Sequence, residues 1–142
     1  MSIKRRQARI LAMQALCQWE VHSDESVEAL EAFLAAHQPE GSSGAVSRYA
    51  SELVRAFWTQ STQVDERLSS ASKAWSLSRM SVVDRNVMRV AVVELSGKKV
   101  PFKVALNEAI EIGRLFGGGD SPGFINAVLD TVLKTLKSPA SK

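Results

Sequence analysis

Residues 81–97, which read SVVDRNVMRVAVVELSG, decide the fold. Ser81 is followed three residues later by Asp84, which resembles a capping box at the start of a helix. Gly97 ends the pattern, as glycine commonly does after a helix. The apolar side chains between these two ends have helical spacing and cover a wide surface: Val83, Val87, Val90, Ala91 and Leu95. The stretch therefore predicts a central, buried helix.

The chain after residue 97 predicts two more helices. Pro101 suits the first turn of a helix, and the apolar pattern behind it stops at the glycines of residues 117–119. Asp120 or Ser121 can cap the last helix, because short oxygen-bearing side chains accept hydrogen bonds from free backbone N–H groups. We expect that helix to end near Lys137, before a flexible tail at residues 138–142.

The chain before residue 81 also has helical spacing, and no segment alternates with a period of two. One helix is predicted near the N-terminus, a short one at residues 27–37, and a long one from Ala45 with a possible bend at residues 59–62. The loop between the last two is PEGSSG, residues 39–44. The predicted class is all-α, in one domain over residues 1–137. The side chains expected to be largely buried are Trp19, Leu53, Phe57, Val87, Val90, Ile110, Val128 and Leu129.

Composition excludes several classes of protein. Of the 142 residues, 45% are hydrophobic and 23% charged, as in a folded globular protein. The longest stretch without a charged side chain, residues 10–19, is far shorter than the roughly 20 residues of a membrane-spanning helix. A single cysteine and two histidines do not suit a structural zinc site. We expect a cytoplasmic protein with no membrane segment, metal or cofactor.

No catalytic motif stands out in the sequence. The stretch GGGDSPG at residues 117–123 precedes a helix whose free N–H groups could hold an anion, but it lacks the lysine of a phosphate-binding loop. A turn between helices is the favoured interpretation. Glu108 and Glu111 lie one helical turn apart, and a solvated surface is favoured over a metal site. The sequence does not predict an enzyme.

Charge is unevenly distributed along the chain. The net charge is only +3, but residues 10–47 contain no lysine or arginine. The acidic residues of that segment are Glu20, Asp24, Glu25, Glu28, Glu31 and Glu40. Such separation predicts an acidic flank and a positive field elsewhere that would steer a polyanion.

The most informative cluster is basic and lies at the start of the first helix: Lys4, Arg5, Arg6 and Arg9. Cations at a helix N-terminus oppose the helix dipole and repel one another, so a bound polyanion would stabilise them. Arg5 and Arg9 are four residues apart and share a face, whereas Arg6 lies about 100° round the helix. The cluster is therefore broad, which suits contact with successive phosphates. The alternative is a solvated, charged helix end.

Two further positions are candidates for the same ligand. Arg85 lies near the start of the central helix, with Arg79 and Arg89 nearby, and repeats the conflict with the dipole. Phe124 lies off the apolar stripe of the last helix, where an exposed aromatic ring could stack on a nucleic-acid base. The alternative for Phe124, which is more common, is packing against a neighbouring loop.

Three stretches in this order resemble the bacterial transcription antitermination factors of the NusB family. They are RRQARILAMQALCQWE, WSLSRMSVVDRNVMRVAVVEL and VPFKVALNEAIEIGRLFGGGDSPGFINAVLD. The resemblance covers residues 5–133, and its most specific parts are P-x-K-V-A-x-N-E-A-I-E and D-S-x-x-F-x-N-x-V-L-D. It implies about seven helices in two packed halves, residues 1–73 and 74–137.

The resemblance also implies a function and partners. Proteins of this kind bind a single-stranded boxA element on nascent ribosomal RNA transcripts. They do so together with the ribosomal protein NusE, within the complex of Nus factors that regulates the processivity of RNA polymerase. No enzymatic activity is implied, and a monomer and a homodimer both remain open.

Carried over residue by residue, the resemblance assigns RNA phosphates to Arg5, Arg6 and Arg9 and a base to Phe124. Arg85 joins this RNA-binding set on the dipole argument. Three polar residues of the family signature are given structural roles first: Asn107, Glu108 and Asn126. The departures are Gly123, where a basic residue is frequent, Ala127 in place of a glycine, and Cys17 and Val93 in place of aromatic residues.

Two other functions remain open. One is a helical protein–protein adaptor whose basic end is incidental, and the other is an accessory RNA-binding domain in ribosomal RNA maturation. Salt-dependent RNA binding would separate the adaptor from an RNA-binding regulator, because counterion release makes phosphate contacts sensitive to salt.

Overall fold

The computed structural model describes residues 3–21, 26–39 and 44–137. Within these ranges the chain forms six α-helices and a 3₁₀ turn, with no β-strand. The elements are α1 (Ile3–Val21), α2 (Val27–Ala36), α3 (Ala45–Ala71), the 3₁₀ turn (Leu77–Arg79), α4 (Val82–Gly97), α5 (Phe102–Phe116) and α6 (Ser121–Lys137). The all-α prediction is confirmed, and the helix count is close to the expected seven.

Helix α4 is the centre of the molecule. Each residue from 86 to 95 is buried, because α1, α3, α5 and α6 all pack against it. A helix that is covered on every side needs no polar face, which explains the near-continuous apolar run VMRVAVVEL. The predicted central, buried helix is confirmed.

Helix α3 bends where the sequence predicts. Gln60 has non-helical backbone angles (φ −110°, ψ 17°) between two helical segments. The bend lies among Thr59, Ser61 and Thr62, which are poor helix formers because their hydroxyls compete for backbone hydrogen bonds. The helical segments on either side of Gln60 therefore form one bent helix, Ala45–Ala71.

The N-termini of α4 and α6 are tied together by side chains. The Ser81 hydroxyl accepts the Asp84 N–H at 3.1 Å, so the predicted cap of α4 is confirmed. The Asp84 carboxylate accepts the Ser121 hydroxyl at 2.6 Å, and that hydroxyl accepts the Gly118 N–H at 3.0 Å. Ser121, predicted as a cap, is instead the first residue of α6, and its side chain joins the two helices.

The first glycine of the GGG turn is needed for close packing. A Cβ on Gly117 would lie 2.3 Å from the Ser121 hydroxyl and 2.8 Å from the Gly113 carbonyl oxygen. Gly118 and Gly119 have open space around their Cα atoms. The turn therefore brings the end of α5 against the start of α6, in agreement with the predicted helix connection.

Most of the predicted core is buried. Of the eight residues expected there, Trp19 and Ile110 are only half-buried, and the other six are buried. Trp19 lies at the rim, where its ring packs edge-on against Phe57 and Trp58 at centroid distances of 5.9 and 6.2 Å. A large indole at the edge of a helix pair remains partly open to solvent.

Two sequence predictions fall wholly or partly outside the described residues. The predicted loop covers residues 39–44, of which 40–43 lie outside them, and the predicted tail, residues 138–142, lies outside them entirely. Gly44, at the end of that loop, has a φ of 91°, which only glycine adopts readily. Among the helices that the structure describes, none is long and apolar enough to cross a membrane.

Candidate nucleic-acid interface

Arg6 is half-exposed and is held by a carboxylate of α5. Its Nε and Nη2 donate to the two carboxylate oxygens of Glu108 at 2.9 and 2.8 Å. The hydrogen bonding between these two side chains lowers the pKa of Glu108 and raises the pKa of Arg6. Arg6 keeps 41% of its side chain exposed, whereas Glu108 keeps 8%. The guanidinium is therefore fixed on one side and open on the other.

Arg9, in contrast, is buried. Its Nε donates to both carboxylate oxygens of Glu94 at 2.9 Å, and Nη1 lies 3.6 Å from Glu108. Only 3% of the Arg9 side chain is exposed. A phosphate does not reach a guanidinium in this position, so the geometry favours a structural role that fastens α1 to α4.

Arg5 lies over the ring of Tyr49, with its guanidinium carbon 4.0 Å from the ring centroid. The Tyr49 hydroxyl donates to Glu94, the same carboxylate that pairs with Arg9. Burial, followed by the hydrogen bond to Glu94 and its charge, raises the pKa of Tyr49 to about 12. Arg5 itself is exposed, and it joins Arg6 as the accessible part of the predicted cluster.

Arg85 has internal partners. It pairs with Glu20 of α1, and its Nη1 donates to the carbonyl oxygens of Leu77 and Met80 at 2.9 and 2.8 Å. With 11% of its side chain exposed, Arg85 holds the 3₁₀ turn against α1 and α4. The charge of Glu20 offsets the unfavourable position of Arg85 near the start of α4.

Glu20 is shared by a buried network. It also accepts from Arg89 at 2.6 Å and from Asn86 at 2.8 Å, and Arg89 reaches Asp65 of α3 at 2.9 Å. Burial raises the pKa of Glu20, but the hydrogen bonds from Arg85 and Asn86 and the nearby arginine charges outweigh it, so the pKa is lowered. One member of the predicted acidic flank is thus used inside the fold.

Phe124 is half-buried at the rim of a groove of about 350 Å³. The groove lies between the 3₁₀ turn and the turn before α6, and Trp75, Arg79 and Asp120 also line it. Trp75 keeps 49% of its surface exposed and is not among the residues predicted from the sequence. The signal that could have identified it is a tryptophan between Lys73 and Arg79, in a stretch that lies outside the predicted helices.

The two parts of the predicted site lie at opposite ends of α4. Arg9 meets Glu94 near the C-terminal end of α4, whereas Ser121, three residues before Phe124, meets Asp84 near its N-terminal end. Ten residues of helix separate the two levels, which is about 15 Å at 1.5 Å per residue. A ligand that contacts both ends must be extended, as a single strand is.

The polar residues of the signature divide into two groups. Glu108 is buried and paired with Arg6, so its structural role is confirmed and the prediction that it lies on a solvated surface is wrong. Asn107 and Asn126 are exposed, so the prediction that they satisfy buried groups is wrong. Their side chains face solvent because the buried stripes of α5 and α6 run through other positions.

The remaining chemistry is sparse. Burial raises the pKa of the Cys17 thiol, which disfavours the reactive thiolate. Among residues 3–21, 26–39 and 44–137, no group of three or more His, Cys, Asp or Glu side chains could hold a metal ion.

These observations define a class: an all-helical, mildly basic protein with exposed arginines at one end of its central helix and aromatic side chains at the other. The model of the NusB family matches residues 6–134. The chain belongs to the NusB family.

Individual relatives agree with this membership. The transcription antitermination protein NusB of Anaeromyxobacter sp. (strain Fw109-5) is 42% identical over 132 residues, which cover 93% of this chain and 91% of the relative. The solved structure of T. maritima NusB is 36% identical, has a TM-score of 0.83 and covers 94% of this chain and 93% of its own. The structure of antitermination factors NusB and NusE in complex with dsRNA has a TM-score of 0.81, covering 95% and 99% of the two chains. At 20% identity, the last likeness concerns the fold alone.

The Arg6–Glu108 pair makes stability sensitive to acid. The pKa of Glu108 in the folded protein lies below its ordinary value of 4.5, because Arg6 donates hydrogen bonds to it and Arg6 and Arg9 add positive charge. A lowered folded-state pKa stabilises the fold above the unfolded-state pKa, and this contribution is lost as the pH falls through the folded-state pKa. Urea unfolding should give a free energy of unfolding that declines below about pH 4.5.

Glu108→Gln should show a shallower decline in acid than the wild-type protein, because its side chain no longer titrates. Glu66→Gln, which removes an exposed carboxylate of α3, is the control. Identical acid profiles for the wild-type protein and Glu108→Gln would contradict the assignment.

Proposed function

We propose that the protein is a transcription antitermination factor that binds single-stranded boxA-type RNA on nascent ribosomal RNA transcripts, together with the ribosomal protein NusE. It acts in the cytoplasm, in the complex of Nus factors with RNA polymerase, and performs no catalysis. The observation that carries the proposal is the exposed pair Arg5 and Arg6 at one end of α4, with Phe124 and Trp75 at the other. An extended strand fits this separation.

The family context supports the same function. Relatives about 40% identical over most of the chain are transcription antitermination proteins. One chain in the complex of NusB and NusE with double-stranded RNA has the same fold as this protein. This likeness supports an RNA ligand and a NusE partner for this chain.

The predicted arginines contribute to RNA binding in two different ways. Arg5 and Arg6 contact RNA directly, because both side chains are accessible. Arg9 and Arg85 act indirectly. Arg9 is buried against Glu94, Arg85 is largely covered and paired with Glu20, and both hold α1 against α4. Their positive charge still contributes to the long-range field that attracts a polyanion.

Removing the charge of Arg6 is expected to weaken RNA binding. Arg6→Gln loses one phosphate contact, so the slope of log affinity against log salt should fall in magnitude by about 0.7. Fluorescence anisotropy with a boxA oligonucleotide, at several salt concentrations and with NusE present, measures both quantities.

Glu108→Gln is the matched control for Arg6→Gln, because it breaks the same ion pair but keeps the arginine. It should bind RNA at least as well as the wild-type protein, since a competing carboxylate is gone. Equal losses in the two variants would mean that Arg6 acts only through the fold. Equal affinity for boxA and scrambled oligonucleotides would reduce the function to non-specific polyanion binding.

Truncating Phe124 is expected to weaken the same complex without changing its salt dependence. Stacking of a base on an aromatic ring contributes about 1–3 kcal/mol and releases no counterions. The same anisotropy titration should show Phe124→Ala with reduced affinity and an unchanged slope. Phe33→Ala is the control, because Phe33 is also half-buried but lies on α2 and stacks at 4.0 Å on His37, the residue that follows this helix. Equal affinity of Phe124→Ala and the wild-type protein would exclude stacking.

The adaptor function is the second candidate, and the acidic flank favours it. Within the described residues, Glu28 of α2 is exposed, and Glu31 is partly exposed and pairs with Arg55. Such a surface would attract a basic ribosomal protein. If the protein binds NusE but neither oligonucleotide, the adaptor replaces the RNA-binding function.

A further inference from the structure

Arg5 and Tyr49 form a layered arrangement at the start of α1. The guanidinium carbon lies 4.0 Å from the ring centroid, which is stacking distance, and Arg5 is exposed. A guanidinium is planar, so one face packs on the tyrosine while the other can receive a second flat group. Bases of single-stranded RNA stack on such guanidinium planes.

The layer is held in place from below. The Tyr49 hydroxyl donates to Glu94, and Glu94 is paired with Arg9, which is buried. The tyrosine ring therefore has both an edge anchored by a hydrogen bond and a face covered by Arg5. Because Arg5 is already held against this ring, it loses less side-chain freedom when RNA binds than a solvated arginine would.

A groove opens beside this layer. It lies between α1, α3 and α4, measures about 650 Å³, and is lined by Arg5, Tyr49, Glu52, Gln60 and Lys99, among others. This volume is within the range of small-molecule sites, so a nucleobase fits.

The groove offers a partner for the polar edge of a base. Glu52 lines it and is exposed, and a carboxylate accepts hydrogen bonds from the exocyclic amino groups of a base. Glu94 also lines the groove, but its oxygens are already bound by Arg9 and Tyr49. Lys99 is exposed and suits the phosphate that follows the base.

We propose that Arg5, supported by Tyr49, is a stacking platform for one base of the bound RNA strand, with Lys99 at the adjacent phosphate. The proposal rests on RNA binding as the function and adds a specific contact to it. Arg5 thereby contributes a flat surface in addition to its charge, and Tyr49 is a positioning residue.

The test uses the full chain with NusE and a set of boxA oligonucleotides, each carrying 2-aminopurine at a different position. Stacking quenches 2-aminopurine fluorescence, so one position should be quenched on binding in addition to any that Phe124 contacts. Arg5→Lys keeps the charge and removes the plane. It should lose this quenching and bind RNA about 5- to 150-fold more weakly with the salt slope unchanged.

Variants of Tyr49 test the lower layer. Tyr49→Phe keeps the ring and should retain the quenching, whereas Tyr49→Leu should lose it. Circular dichroism at the assay temperature verifies that each variant is folded. If Tyr49→Leu is unfolded, the test depends on Arg5→Lys, which changes an exposed position. Lys99→Gln should flatten the salt slope by about 0.7. Lys134→Gln, an equal charge change on α6, should not, because Lys134 pairs with Asp130 and does not line this groove.

The outcomes separate the two proposals. Wild-type protein that binds no RNA overturns both the function and the platform. Wild-type affinity and full quenching in Arg5→Lys would overturn the platform while the function stands, since charge alone would then suffice. Equal loss of quenching in Tyr49→Phe and Tyr49→Leu would also overturn it, because the ring remains in the first of these.

Discussion

Glu94→Ala is expected to destabilise the fold by about 3–5 kcal/mol, because it removes the carboxylate that binds the buried Arg9 most closely and leaves the more distant Glu108, at 3.6 Å. Arg9 and Glu94 keep only 3% and 2% of their side chains exposed. The substitution also removes the acceptor of the Tyr49 hydroxyl. Urea unfolding, followed by circular dichroism, measures the free energy of unfolding.

Two variants sharpen this experiment. Glu31→Ala breaks a comparable bidentate pair with Arg55 on the surface and should change stability little, because solvent screens exposed charges. Arg9→Met combined with Glu94→Met should be more stable than Glu94→Ala alone, because no uncompensated charge remains in the interior. If Glu94→Ala unfolds at the same urea concentration as the wild-type protein, the buried pair does not support the fold.

Phe57→Ala is the second substitution with a large expected effect, about 3–5 kcal/mol. Phe57 is 1% exposed. Its ring packs edge-on against Trp19 and under the guanidinium of Arg89, 5.1 Å from the centroid. Truncation opens a cavity where α1, α3 and α4 meet, and the surrounding helices relax only partially.

Calorimetry or urea unfolding checks this expectation against Phe116→Ala. Phe116→Ala is the same chemical change at the end of α5, where 41% of the residue is exposed. Its loss of unfolding free energy should therefore be much smaller. Equal losses at the two positions would contradict the placement of Phe57 in the core.

Much of the fold follows from local signals in the sequence. The Ser81 cap, the end of α4 at Gly97 and the start of α5 after Pro101 are all present as predicted. The bend at Gln60 is also present. Each depends on backbone preferences within a few residues, which act before any distant contact forms.

The candidate site was less predictable. Arg5 and Arg9 share a helix face, yet Arg5 is exposed and Arg9 is buried, because α1 runs into contact with α4 one turn after its exposed start. Periodicity gives the direction in which a side chain points around its own helix. It does not show at which residue along that helix the contact with a neighbouring helix begins. A charged residue within the apolar run of α4, Glu94, was the available signal for a buried partner.

The sequence by itself determined the helical class, the helix ends and the apolar stripes, because these depend on hydrogen bonding and spacing within each segment. Only the tertiary structure decided which arginines face solvent and which face carboxylates, and that the arginines and Phe124 lie at opposite ends of α4. The physical reason is that partners such as Arg6 and Glu108 are 102 residues apart in the chain. Their approach depends on the packing of whole helices, which no local pattern encodes.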